Sequence, residues 1–158
     1  MTTGHTGSRD ATTGREPKHP VRTAAQVVGA VFLLVGVLGF VPGITTPYDE
    51  LGFAGHRSEA ALLGIFQVSV LHNVVHLLFG VAGIALARRP SSARAFLVGG
   101  GVIYLLLFLY GLVVDKDSQA NFVPLNAADD WLHFVLGAGM IALGVVLAKR
   151  PGTTGVGR

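Results

Sequence analysis

LHNVVHLLFGVAGIALARRP (residues 71–90) is an apolar run that ends abruptly on two arginines and a proline. Proline cannot continue a helix from within, and arginine side chains resist entry into hydrocarbon, so the run has a defined inner end. Apolar residues continue upstream, and a membrane span is predicted over 61–87. Three further runs behave alike: 23–41 stops at Pro42-Gly43, 95–114 stops at Asp115, and 128–148 stops at Lys149-Arg150-Pro151. Each holds about 19 to 27 residues, enough to cross a hydrocarbon core of about 30 Å at about 1.5 Å per residue. One such segment would suit a buried helix of a soluble protein. Four in succession, with short polar connections, predict an all-α, four-helix transmembrane bundle over residues 23–150.

Composition agrees. Of 158 residues 51% are apolar and 13% charged, with 22 glycines, a pairing usual in helical membrane proteins. Residues 1–22 are rich in Gly, Thr and Arg and read as a disordered cytoplasmic tail, and 151–158 as a short flexible one. A cleaved signal peptide is not expected, because the first apolar run is of full membrane length and no small-x-small site precedes a soluble domain. The isoelectric point of about 9.7 does not point to nucleic acid: the basic residues stand at the ends of apolar segments and form no patch with aromatics. The chain has no cysteine, which removes disulfides, thiolate metal ligands, Cys-ligated iron–sulfur clusters and Cys nucleophiles.

Orientation follows from the basic residues. With the N-terminus inside, the inner segments hold Arg9, Arg15, Lys18, Arg22, Arg88, Arg89, Arg94, Lys149, Arg150 and Arg158, and the outer loops hold only Arg57 and Lys116. Both termini are therefore expected in the cytoplasm.

Residues 132–151, LHFVLGAGMIALGVVLAKRP, align with 71–90 without a gap, sharing Leu-His at the start, Gly83/Gly144, Leu-Ala at 86–87/147–148 and Arg-Pro at the end. The first and third spans align likewise, Arg22 on Arg94, Gly29 on Gly101 and Gly39 on Gly111. Two helical hairpins that both start inside form a parallel repeat. In such a repeat His72 and His133, each 16 residues before the basic stop, lie at one depth in the outer part of the bilayer and face each other. His76 lies one turn deeper.

Ser69, His72, His76, Gly80 and Gly83 share one face of the second helix, with Asn73 and Gln67 off that stripe; the fourth carries Asp129, His133, Gly137, Met140 and Gly144. Ionisable residues inside a membrane are costly and mark candidate sites. The structural readings are plain. His72 and His133 hydrogen-bond each other or a carbonyl, Asn126 and Asp129 cap the fourth helix, Trp131 sits at the interface, the glycines pack, and Tyr104 and Tyr110 pack. Three functional readings stand beside them. One is a transition-metal site of His72, His76, His133 and Asp129, with Ser69, Asn73, Asn126 and Asp130 as its polar surroundings. Another is haem held by His72 and His133. The third is a proton or ion path through Asp129, His133, His72 and His76. No Walker loop, HExxH, nucleophile elbow or dinucleotide fingerprint is present.

A His-Asn-x-x-His on the second helix (His72, Asn73, His76) and an Asn-x-x-Asp-x-Trp-Leu-His entering the fourth (Asn126, Asp129, Trp131, Leu132, His133) carry a resemblance. Over about residues 24–148 the chain resembles the bacterial, mainly actinobacterial, four-helix membrane family known as domain of unknown function family 4383. The resemblance implies a multi-pass fold in the cytoplasmic membrane and no activity. The leading expectation is a non-enzymatic membrane module or accessory subunit, surrounded by the lipid bilayer and associating with itself or other chains through glycine-rich helix faces. The alternatives are a metal- or haem-binding redox protein and a small transporter.

Overall fold

Two prolines set the N-terminal ends of two helices. The computed structural model describes residues 19–147, so the expectations for residues 1–18 and 148–158 lie outside the described residues, while 20–22, expected in the disordered tail, form the first turn of a helix. Helix α1 (Pro20–Leu38) and helix α3 (Pro90–Val113) each begin on a proline, whose fixed φ suits the first turn and whose missing N–H costs nothing there. Helices α2 (Val70–Leu86) and α4 (Ala127–Val146) begin instead on side-chain caps, Ser69 and Asn126. Only Ala87, Arg88 and Arg89 separate α2 from α3. The N-terminal end of α1 is tied there by Arg22, whose Nε donates to the Ala87 carbonyl at 3.0 Å, one of the acceptors that the end of α2 leaves free.

Three helices, α1, α3 and α4, are long and apolar enough to cross a membrane, with mean hydropathies of 2.0, 2.3 and 1.4. Burial is inverted relative to a soluble bundle. Val27, Val31, Leu34, Leu78, Leu106 and Val135 lie exposed, while the buried face of α1 reads Val21, Ala25, Gly29, Phe32 and Gly36 and that of α2 reads Asn73, His76, Gly80 and Gly83. Glycines and polar groups lie on the buried faces beside Val21 and Phe32, and many branched apolar side chains face outward, as suits lipid in place of water.

The closest helix packing is between α1 and α2 and between α3 and α4. Glycine permits it. A Cβ placed on Gly29 would lie 2.9 Å from the Ile84 nitrogen and 3.0 Å from the Gly80 oxygen, and one placed on Gly137 would lie 2.9 Å from the Gly101 oxygen. A smaller diagonal contact joins α1 to α3, where Phe32 packs on Tyr104 with ring centroids 5.3 Å apart.

The second span differs from its predicted 61–87. Residues 61–69 are not helical: they form strands β2 (Ala61–Leu62) and β3 (Phe66–Gln67), which with β1 (Thr45–Thr46) make a small antiparallel sheet in the order β1-β2-β3. The bundle is thus not purely α. The turn between β2 and β3 places Leu63 and Gly64 at φ of 56° and 69°, a region a helix cannot contain. Side chains of this apolar run point two ways: Leu62 and Val68 join Ala60 in a second small core under the hairpin, and Leu63 and Ile65 stay exposed. The α1–α2 and α3–α4 connections are therefore a folded cap rather than short polar links. Ser58 locks its base, donating to the Val68 carbonyl at 2.6 Å and accepting from the Gly52 amide at 3.0 Å, and the Gly55 amide reaches the Phe122 carbonyl at 2.8 Å to join the two connections.

Candidate functional site

The cap leaves the first turn of α2 with no free donor for a ligand. The Val70 and Leu71 amides donate to the Gly52 and Phe53 carbonyls at 3.0 and 2.9 Å, the His72 amide to Ser69 Oγ at 3.1 Å, and the Asn73 amide to the Ser69 carbonyl at 2.9 Å. Ser69 is thus a helix cap first.

One turn on, His76 turns its ring back along the helix, and Nδ1 lies 3.0 Å from the His72 carbonyl. A carbonyl only accepts, so Nδ1 carries the proton, and in the neutral ring Nε2 is an acceptor. That acceptor faces the Tyr104 hydroxyl at 3.4 Å, longer than the roughly 2.8 Å usual for a hydroxyl donor. The His72 ring stacks flat on that of His76, centroids 4.2 Å apart and 12° from parallel, and the His133 ring meets Tyr104 edge to face at 5.1 Å. Phe32 closes the group from α1, 5.4 Å from His76.

His133 is 3% exposed, and its Nδ1 has no hydrogen-bond partner among the described residues. The expected hydrogen bond between His72 and His133 is absent among the described residues. Tyr104, reaching in from α3, stands between the second and fourth helices where that bond was expected, because α1 and α3 make the diagonal contact of the bundle. Tyr104 is the residue that sequence reasoning assigned to packing alone. Its signal was there: it lies on the buried face of α3 with Leu97, Gly100 and Gly101.

Asn73, placed off the stripe by spacing, is fully buried on it. Its amide lies against Gly39, the residue that caps α1, where a side chain on residue 39 would collide with it, and neither amide atom has a partner among the described residues. Asp130 lies in the same way against Gly111 and accepts from Lys116 Nζ at 2.8 and 3.0 Å.

Asn126 and Asp129 form a reciprocal capping box. Asn126 Oδ1 accepts from the Asp129 amide and Asp129 Oδ2 from the Asn126 amide, both at 3.0 Å. Both side chains also reach the β2–β3 hairpin: Asp129 Oδ2 accepts from the Gln67 amide at 3.0 Å, and Asn126 Nδ2 donates to the Ile65 carbonyl at 2.7 Å. Asp129 is consequently engaged in backbone contacts. No group of three or more His, Asp or Glu is arranged to hold a metal ion among the described residues, so the set of His72, His76, His133 and Asp129 is not assembled as one. For the haem pair, the Tyr104 ring takes up space between the helices that carry His72 and His133.

Two cavities of about 260 Å³ each meet at this cluster. One lies between α2 and α3 beneath residues 122–124, and the other between α1 and α4 beneath the hairpin. His72, His76, Tyr104 and His133 border both, and most other lining residues are aliphatic or aromatic. The arrangement offers a few hydrogen-bonding atoms at the centre of an apolar chamber, which is the pattern of a small-molecule site.

No curated protein and no solved structure matches the chain. The family model described as domain of unknown function, DUF4383, matches residues 22–146, the four helices and their cap together, and the chain belongs to that family.

Proposed function

We propose that this chain is a non-enzymatic, multi-pass membrane module of the bacterial cytoplasmic membrane, and that its role is to bind a small molecule at the cluster of His72, His76, Tyr104 and His133. The observation that carries this reading is His133, which borders both cavities while its buried Nδ1 has no hydrogen-bond partner among the described residues. Leaving a buried polar atom unpaired costs about 1–3 kcal/mol, a cost with no structural return. A ligand that pairs with it supplies one.

The stability of two variants tests this. His76 makes a backbone bond and faces the Tyr104 hydroxyl, so His76→Leu is expected to destabilise by about 1–3 kcal/mol. His133→Leu removes the unpaired atom and is expected to leave the unliganded protein unchanged or up to about 1 kcal/mol more stable in detergent unfolding. A His133→Leu protein as unstable as His76→Leu makes His133 a packing residue and removes the binding reading. Turnover of a substrate by the purified protein alone would remove the non-enzymatic part.

The same reading places both termini in the cytoplasm, supported by the ten basic residues of the inner segments against Arg57 and Lys116 outside. The chain has no cysteine, so single introduced thiols report position directly. In intact cells an impermeant maleimide is expected to label Phe53→Cys, on the exposed cap, and not Ser91→Cys, at the start of α3; the opposite pattern inverts the topology.

The parallel repeat is supported by corresponding contacts. Gly29 packs on Gly80, and Gly101 packs on Ile141, which stand at equivalent positions of the aligned halves. The glycines at these contacts are used within the chain. Association with a second chain would fall to Gly99 and Gly139, helical glycines that meet nothing within 4 Å.

A further inference from the structure

The two cavities lie at the two loosely packed helix interfaces, α2 with α3 and α1 with α4. The first opens sideways. Val75 and Ile103 line it and are nonetheless 49% and 50% exposed on the outer surface of the bundle. In a membrane that surface meets lipid tails, so a ligand reaches the histidines from within the bilayer. Such a ligand is itself lipid-soluble.

Its head is neutral. A carboxylate or phosphate head needs a cation, and Lys116, the nearest outer lysine, is already paired with Asp130. The carboxylates of Asp129 and Asp130, both buried, stand at the same end of α4 and repel a second anion. The head also suits a flat ring with acceptors on two sides. Rings form part of the wall: Phe79 and Phe122 border the same cavity as the histidines and Tyr104. Side chains able to donate reach in from different helices, the Tyr104 hydroxyl, held only by its long 3.4 Å contact, and the imidazoles of His72 and His133. A single alcohol engages one of them. A ring with two carbonyl oxygens on opposite sides engages two.

We propose that the site binds a lipid-soluble quinone, its ring in the cavity beside Tyr104 and His133 and its apolar tail leaving through the cleft between α2 and α3. This rests on the binding reading given above and names its ligand class. His133 then carries its proton on Nδ1 and donates it to one carbonyl oxygen, while the Tyr104 hydroxyl turns from His76 to donate to the other.

Binding of short-tailed benzoquinone and naphthoquinone analogues to the purified full chain in lipid nanodiscs tests the assignment. Saturable binding of one of them at about one per chain is expected, weakened about tenfold or more in His133→Leu and in Tyr104→Phe, each of which removes one donor. Ile103→Trp tests the route. It fills the cleft from the exposed surface, leaves the polar centre intact, and is expected to weaken binding by a similar factor with an unchanged unfolding midpoint. Absence of saturable binding by the wild type, or binding equal in all three variants, overturns the proposal. So does saturable binding of a fatty acid or long-chain alcohol with neither quinone bound. If His133→Leu is stable while no quinone binds, the quinone assignment fails alone; if His133→Leu is unstable, the binding reading fails with it.

Discussion

Gly29→Leu is expected to cost about 3 kcal/mol or more, and to leave much of the protein unable to hold α1 against α2. The atoms that a Cβ on residue 29 would meet are all backbone: the Ile84 nitrogen at 2.9 Å, the Gly80 oxygen at 3.0 Å and the Gly83 carbonyl carbon at 3.1 Å. A flexible side chain can swing away from an intruder, and a helix backbone cannot. The only relief is to move the two helices apart, which gives up the dispersion contacts that hold helices together in lipid, where no hydrophobic term favours their association. Parallel replacement of Gly139, which faces open space on α4, provides the control. Gly139→Leu is expected to be neutral within about 0.5 kcal/mol in the same SDS unfolding titration, since a surface change away from packed groups rarely does more. Equal losses at both positions would mean that helix propensity, not close approach, decides the outcome.

Asp129→Ala is the second large effect, about 3 kcal/mol. One carboxylate oxygen receives two backbone amides, from Asn126 and from Gln67, in a residue only 2% exposed. Hydrogen bonds to a charged acceptor contribute about 1.5–3 kcal/mol each, and both part-buried donors would lose their partner. The loss is divided between two places. The α4 end loses half of its capping box, and the β2–β3 hairpin loses a tie to the bundle. Amide exchange over residues 61–69 is therefore expected to quicken more than exchange within α4. Asp129→Asn keeps one acceptor oxygen and is expected to recover most of the stability. Uniform quickening along the chain would show that the cap and the bundle unfold as one unit.

Much of the helical frame was legible in the sequence because its marks are local. Prolines, basic stops and runs of apolar residues act on their own segment, and α1, α3 and α4 fall close to where those marks put them. The capping box was legible for the same reason, since Asn126 and Asp129 are three residues apart. The hairpin at 61–69 was not. Its residues are as apolar as a span, and periodicity cannot separate a short apolar strand from the start of a buried helix. The decision is made at a distance, by Asp129 and Asn126 holding the Gln67 amide and the Ile65 carbonyl. Tyr104 was missed on similar grounds. A tyrosine in a run of leucines gives no local sign of what its hydroxyl meets, and the diagonal contact that brings α3 to the histidines is a property of the assembled bundle. Asn73 shows the converse: its burial follows from the bare surface that Gly39 presents on the facing helix, a pairing that no spacing within α2 reveals.

The lengths of α2 and α3 give the molecule a short side and a tall side. The 17 residues of α2 rise about 26 Å and the 24 of α3 about 36 Å. A bilayer in contact with both cannot match both. Beside α2 the folded cap makes up part of the missing height, with Leu63 and Ile65 of its hairpin exposed. The bilayer must thin there or the whole bundle must tilt, at a cost of fractions of a kcal/mol per Å of mismatch. A membrane that surrounded the protein would therefore be thinner on one flank than on the other.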